Sequence, residues 1–406
     1  MERRDERSST RSSRRVAAVG HICLDLTPEF HGVDGLTGTQ DLTDIMRPGK
    51  LNRVGPLNIS TGGSVSNTGI ALIRLGMETV LLGMVGDDML GRSVVEVYEE
   101  YVEDASYLVH PGLTTSYTVV ISPPDTDRIF LHHTGGNDLF TSESVDFGLI
   151  GDADLFHFGY PTLMRKTYEN GGTELLKIMR KARAMGMTTS LDLAMPDPSS
   201  PAMKENWDHI LGTVLPLTDL FLPSLEESLL LLEPELYLEY RDFTGDETRS
   251  ETPRMARVLL DRFIGMGVAV AGVKCGDMGY AVRTADRGRI RSMGRARPAD
   301  ISGFADRQIW APAYRPQAFR STTGAGDASI AGFIAAFLRG FPLEICTCSA
   351  CAVGAQNITE TDATSGVRPL DEAIAMVESD AERIPVTLGE EYSYDEEARV
   401  YRRGVL

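Results

Sequence analysis

Residues 320–333 read Arg-Ser-Thr-Thr-Gly-Ala-Gly-Asp-Ala-Ser-Ile-Ala-Gly-Phe, and their types and spacing could do chemistry. A turn through Thr322, Thr323, Gly324, Ala325 and Gly326 leads into Asp327, and an apolar helical repeat follows at Ile330, Phe333, Ile334 and Phe337. The glycines let the backbone bend tightly and present bare amides. The first amides of a helix lack internal partners, and the helix dipole adds partial positive charge to them. Such a turn suits an anion, most naturally a phosphate. A carboxylate beside a phosphate seat has a purpose if it accepts a proton there. The pattern therefore points to phosphoryl transfer, with the amides cradling the transferring group and Asp327 serving as base for the attacking hydroxyl. Gly-Ala-Gly-Asp also fits an ordinary capped loop, since Asp caps helices and Gly fills turns. The remaining segments have to decide.

Several other segments carry polar groups at element ends. Val16-Ala-Ala-Val-Gly-His-Ile-Cys-Leu-Asp25 puts an acid just past a first strand, where open α/β sheets bind ligands. Asp25 there either accepts hydrogen bonds from a polyol or closes a local turn. In Gly62-Gly63-Ser-Val-Ser-Asn67 the glycines permit a hinge or a close ligand approach, and Asn67 lies one turn into a helix; a plain glycine turn fits equally. Lys274-Cys-Gly276-Asp-Met-Gly279 joins two strands through a glycine turn, which could be only a hairpin. Glu227 opens a helix, where an acid complements the dipole. Asn137, after Gly135-Gly136, either reaches a ligand from the end of a lid or simply turns the chain. His132 and His133 are adjacent on a predicted strand, point to opposite faces and cannot chelate one metal. Cys346, Cys348 and Cys351 read as part of a buried small-residue helix rather than a metal site.

The elements that must position these groups alternate. Strands are predicted at 16–19, 79–85, 155–158, 188–193, 220–222, 268–274 and 280–283, and helices at 65–75, 173–185, 223–232 and 252–266. This alternation favours an α/β fold with a mostly parallel sheet and helices on both faces. Strands at 115–122 and 128–133, joined through Pro123–Asp127, predict a hairpin that projects as a lid, and residues 28–58 could pair with it. Residues 285–318 show no strong periodicity. The chain divides into a disordered tail (1–14), one domain (15–388, with lid segments at about 28–58 and 113–134) and a charged C-terminal tail (389–406).

Of 406 residues, 42% are hydrophobic, enough for a sizeable core. A net charge of −18 argues against nucleic acid or an anionic membrane as partner. No apolar run approaches a membrane span. Five cysteines in a chain this long imply a reducing compartment, and a cytoplasmic location is expected. A Rossmann dehydrogenase and a P-loop kinase both lack their glycine signatures here.

Taken in order, the blocks Val19–Asp25, Gly62–Asn67, Leu191-Asp192, Val273–Gly279 and Thr322–Asp327 make the chain, from about Arg15 to Pro369, resemble the ribokinase-like, or PfkB-type, carbohydrate kinases. The resemblance implies a three-layer α/β/α sandwich with a small β-lid and ATP-dependent phosphorylation of a sugar or sugar-like alcohol. It implies Asp327 as catalytic base and the Gly324, Ala325 and Gly326 backbone as anion hole. Asp25, Gly62, Gly63, Asn67 and Asn137 then face the acceptor, while Lys274, Gly276, Gly279, Thr323 and Asn357 lie on the ATP side. Mg²⁺ is implied, with Glu227 acting on it through water. A monovalent cation and a homodimer formed through the lid remain open. Ser224 stands where the family commonly has Asn, which motivates an alternative: an impaired pseudokinase that binds a sugar or nucleotide for regulation. Gly159-Tyr160-Pro161 stands where ribose-specific members carry an acid, which weakens the case for ribose.

Overall fold

A computed structural model describes residues 14–30, 47–121 and 129–404. Sixteen strands are numbered in chain order: β1 (Arg15–Gly20), β2 (Cys23–Pro28), β3 (Leu57–Gly62), β4 (Glu78–Leu82), β5 (Val85–Gly86), β6 (Val109–His110), β7 (Tyr117–Ile121), β8 (Ile129–His133), β9 (Leu155–Gly159), β10 (Thr188–Leu191), β11 (Leu220–Phe221), β12 (Val270–Lys274), β13 (Tyr280–Thr284), β14 (Gln308–Ala311), β15 (Tyr392–Asp395) and β16 (Val400–Arg403). The main sheet runs β15-β16-β14-β13-β12-β11-β10-β9-β1-β4. It is parallel from β4 to β12 and antiparallel from there to β15.

The strands of the parallel half are buried on both faces because helices cover both sides. Along β1, Val16 joins the core on one face while Ala17 and Val19 join the other, as the period of two requires. One face is covered by helices including Trp207–Val214 and Leu225–Leu232, and the other by Ala325–Leu338, Leu343–Asn357 and Leu370–Glu378. The expected three layers are present. The helix Ala325–Leu338 is buried over almost its whole length, and side chains such as Phe333 and Ile334 contribute about 1.5–3 kcal/mol each by leaving water. Cys346, Cys348 and Cys351 are buried on the neighbouring helix Leu343–Asn357.

The lid is a separate sheet in the order β3-β2-β7-β8. Asp25, expected just past the first strand, lies on a second strand, β2, which His21 and Ile22 separate from β1. The hairpin β7–β8 pairs with β2 through β7, and β2 in turn pairs with β3. The turn expected at Pro123–Asp127 lies outside the described residues, as does most of the stretch expected at 28–58.

Two expectations are corrected. The segment 389–406 is not a peripheral tail: β15 and β16 form a hairpin that pairs with β14 and extends the main sheet. Its alternating Tyr, Val and Arg residues suit an edge hairpin, but their charge masks the apolar signal. Residues 285–318 contain β14, a central strand whose Trp310 is buried and donates its indole N–H to the Met278 carbonyl at 2.8 Å. Of the expected tail 1–14, only Arg14 is described, ion-paired to Asp154 at 2.7 Å.

Candidate active site

Asp327 lies in the first turn of the helix Ala325–Leu338, whose N-cap is Gly324 in the left-handed conformation (φ 71°). A Cβ on Gly324 would run into Ala363, so both conformation and space demand glycine there. Asp327 is only 5% exposed, yet its carboxylate is surrounded by donors. Asn67 Nδ2 donates to Oδ2 at 3.0 Å and Thr68 Oγ1 to Oδ1 at 3.2 Å. The Tyr160 hydroxyl lies 2.8 Å from Oδ1 and 2.7 Å from Oδ2. Burial raises the Asp327 carboxyl above the ordinary range, while Lys274 and these three donors pull the other way. A raised carboxyl is better matched to proton abstraction near neutral pH.

Asn67 and Thr68 come from the helix Ser64–Arg74, which follows β3 through Gly63. Gly63 has φ 85°, and a Cβ there would lie 2.5 Å from the His21 carbonyl and 2.6 Å from its Nδ1. A Cβ on Gly62 would overlap the Asp25 carboxylate. Asp25 and Asn67 thus abut the two ends of one short turn. On the lid, Thr118 and His132 pair directly across β7–β8 on the face that carries Asp25, and His132 lies against His21 with the rings tilted by 38° and their centroids 5.3 Å apart. His133 points to the opposite face, against Tyr117. Burial holds His21 and His132 below the usual imidazole range, so both are neutral at physiological pH.

Beneath Asp327 lies a charge cluster. Lys274 Nζ is 3.0 Å from Asp192 Oδ1; the carboxylate is buried and the ammonium half-buried. Burial raises Asp192 against the opposing pull of the Lys274 charge, and Glu227 and Asp327 raise it further. Burial opposes the Lys274 ammonium, but Asp192, Glu227 and Asp327 outweigh it and hold its pKa high. Glu227 Oε2 accepts from the Ser224 amide at 2.9 Å, and Ser224 Oγ accepts from the Glu227 amide at 3.3 Å. This capping box accounts for the serine at 224. Asp192 Oδ2 is buried without a partner. Among the described residues no group of three or more metal-ligating side chains comes together, so a divalent cation here would be held by phosphate and water, with the orphaned Asp192 oxygen and Glu227 facing its water shell.

A cavity of about 370 Å³ opens on the other side of Gly326. Its lining includes Lys274, Gly276, Gly279, Thr322 and Gly326 together with the apolar side chains of Tyr280, Tyr314, Phe319, Ile358 and Ile384. The geometry suits a phosphate chain leading to an aromatic base. The sequence profile of the pfkB family carbohydrate kinases matches residues 14–369. The chain belongs to this family. An uncharacterized sugar kinase of Archaeoglobus fulgidus is 23% identical over 277 residues, 68% of this chain and 90% of that protein. Fructokinase-1 of Zea mays is 28% identical over 200 residues, 48% of this chain and 56% of the maize protein. The ribokinase of Thermotoga maritima superposes at TM-score 0.62 with 17% identity, over 90% of this chain and all of that one. A fructokinase from Xylella fastidiosa with bound ATP gives 0.62 at 18% identity, over 89% of this chain and 98% of that one. The fold is that of ribokinase, and the protein is a carbohydrate kinase. No helix among the described residues is long and apolar enough to cross a membrane.

Three expected site residues play other parts in this kinase. Asn137 is fully buried and spends both polar ends on Ile22, accepting from its amide at 3.3 Å and donating to its carbonyl at 2.8 Å. It fixes the chain beside His21 rather than facing the acceptor. Asn357 donates to the Thr323 carbonyl at 2.9 Å and steadies the Asp327 turn. The Ala325 amide, expected in the anion hole, is bonded back to the Thr322 carbonyl at 3.2 Å. The amides of Gly326 and Asp327, next in the first turn, have the open direction. Tyr160, His21 and Thr68 also meet at the site, though no local motif marks them as its partners. Tyr160 and His21 do stand directly after β9 and β1, at the carboxyl ends where crevice residues occur.

Proposed function

We propose that this kinase transfers the γ-phosphate of ATP to a hydroxyl of a sugar or sugar-like alcohol, with Asp327 as base. The observation that carries the reading is the raised, buried Asp327 carboxyl held by Asn67, Thr68 and Tyr160, one residue from the cavity wall at Gly326. Asn67 and Thr68 orient the carboxylate, which takes the proton of the attacking hydroxyl. The first-turn amides at Gly326 and the dipole of their helix stabilise charge on the transferring group. Gly276 and Gly279 let backbone approach the phosphate chain, and Lys274 supplies the positive charge nearest to it. Mg²⁺, when bound, neutralises phosphate charge, and Asp192 and Glu227 are the residues that would hold its water shell.

Asp25, with Gly62 and Gly63 behind it, supports binding of the acceptor hydroxyls beneath the lid. The lid's other face carries Ile59, Leu26, Val119 and Leu131 in register across all four strands, with Ile59 53% and Leu131 49% exposed. An apolar row of this kind supports a homodimer through the lid. The impaired-pseudokinase alternative rested on Ser224, which here caps its helix and keeps Glu227 in place. The test is ADP release and product mass over a panel of ketoses, aldoses, polyols and nucleosides. Tight sugar or nucleotide binding without transfer to any of them would replace this reading with the regulatory one.

A further inference from the structure

The Tyr160 hydroxyl bridges both oxygens of Asp327. The other two donors, Asn67 and Thr68, belong to the buried helix Ser64–Arg74 and stay with it. The bridging position is therefore the side of the carboxylate left for a hydroxyl that is to give up its proton. Tyr160 fills it with a hydroxyl of its own.

Its backbone is not at ease there. Tyr160 has φ 65° and ψ 41°, a left-handed conformation unusual for a residue with a side chain. It also precedes Pro161, which pushes the residue before it toward extended backbone. A change at Tyr160 to that extended state relieves both conflicts and swings the phenol away from Asp327. The conformation seen is held against this preference by the phenol's bonds to Asp327 and by the Leu163 amide, which donates to the Tyr160 carbonyl at 3.0 Å, an arrangement typical of switching positions.

Around the phenol, buried polar atoms lack partners. Both His21 ring nitrogens, Ser64 Oγ and Asn67 Oδ1 are buried without a hydrogen bond. His21 is 1% exposed, and its ring centroid is 6.1 Å from that of Tyr160. Unmet buried groups favour a ligand that satisfies them. A molecule with several hydroxyls offers such partners together with a hydroxyl for Asp327. It can therefore gain at this site what the phenol alone cannot.

Resting on the kinase reading above, we infer that Tyr160 is a stand-in for the acceptor hydroxyl. It holds the seat on Asp327 while no sugar is bound, keeps water from the base, and leaves when a polyhydroxylated acceptor arrives. Its role is to suppress hydrolysis of ATP in the absence of sugar. A site occupied by its own side chain lowers apparent acceptor affinity by the fraction of time the seat is open.

The experiment compares sugar-free ADP release by the wild type, Tyr160→Phe and Tyr160→Phe/Asp327→Asn, each checked by thermal melting. Tyr160→Phe removes the hydroxyl and keeps the ring. Tyr160→Gly, which accepts the left-handed backbone, is the second variant should the first fold poorly. Expected is a sugar-free rate at least about tenfold above wild type, abolished in the double variant. The KM for any sugar that the wild type phosphorylates falls severalfold. An unchanged sugar-free rate overturns the inference, the more so if kcat falls and the acid limb of its pH profile moves, because Tyr160 then positions Asp327 permanently. Phosphotyrosine at 160 after incubation with ATP also overturns it, since the phenol would be a true acceptor. Sugar phosphorylation by the wild type separates the two readings. Transfer alongside a silent Tyr160→Phe sinks the stand-in alone, and silence in both assays sinks the kinase reading with it.

Discussion

Replacing Asp327 by Asn separates chemistry from folding more cleanly than any other single change in this site. Asn keeps the size of Asp and one acceptor oxygen. The Asn67 amide can donate to that oxygen, and the hydroxyls of Thr68 and Tyr160 can each turn a lone pair toward the new NH₂ group. All three contacts are re-made, and no buried carboxylate is left to desolvate. Folded stability is therefore expected within about 1 kcal/mol of wild type, or above it. The base, however, is gone. General-base assistance is worth about 10²–10⁴ in rate, or about 3–5 kcal/mol in the barrier. Turnover should drop by that factor while ATP affinity holds, because Gly326, Lys274 and the apolar cavity are untouched. The assay is ADP release with the best sugar of the panel, alongside ATP calorimetry and urea unfolding of both proteins. Turnover within about tenfold of wild type would show that Asp327 is not the base. A loss of more than about 2 kcal/mol in stability would show that its role is structural.

Lys274→Met leaves Asp192 uncompensated, at a cost of about 3–5 kcal/mol at pH 7. Asp192 titrates higher folded than unfolded, so the native state holds its proton more tightly and stability is lost as pH rises. The variant's deficit should shrink at pH 5, and a deficit in urea unfolding that does not change with pH would refute the account. For catalysis, burial raises the Asp327 carboxyl, so kcat/KM should fall on acidification at a pH above the ordinary carboxylate value of about 4. An acid limb at or below that value would contradict it. Gly326→Ala has room, with its Cβ 3.6 Å from the Lys274 side chain, and should melt at or above the wild-type temperature yet turn over more slowly. Gly279→Ala has φ 103° and would collide with the Ala311 carbonyl, so it should lose stability by more than about 1 kcal/mol. Finally, if the apolar lid row is the proposed dimer contact, Ile59→Lys should leave only monomer in light scattering, and a monomeric wild type or an unchanged dimer would refute that contact.

The Asp327 turn was legible in the sequence because its signals are local: glycines, an acid and an apolar helical repeat within fourteen residues. The same holds for the alternation that built the parallel half of the sheet, and for Gly63 before the Asn67 helix. Local spacing also accounts for the break at Asn170–Gly172 just ahead of the helix segment expected from Thr173. What it could not supply was partnership. Asn67 and Asp327 are 260 positions apart, and Tyr160 reaches Asp327 across 167. Local spacing leaves Asn137 either facing a ligand or turning the chain, whereas the folded chain turns both ends of its amide to Ile22, 115 positions away. The C-terminal hairpin was hidden because an edge pairs through its backbone, which composition does not record. Residue type and near spacing set which chemistry was available. Only packing decided which groups meet, because burial, pKa and hydrogen-bond satisfaction depend on neighbours that the chain brings together from far along its length.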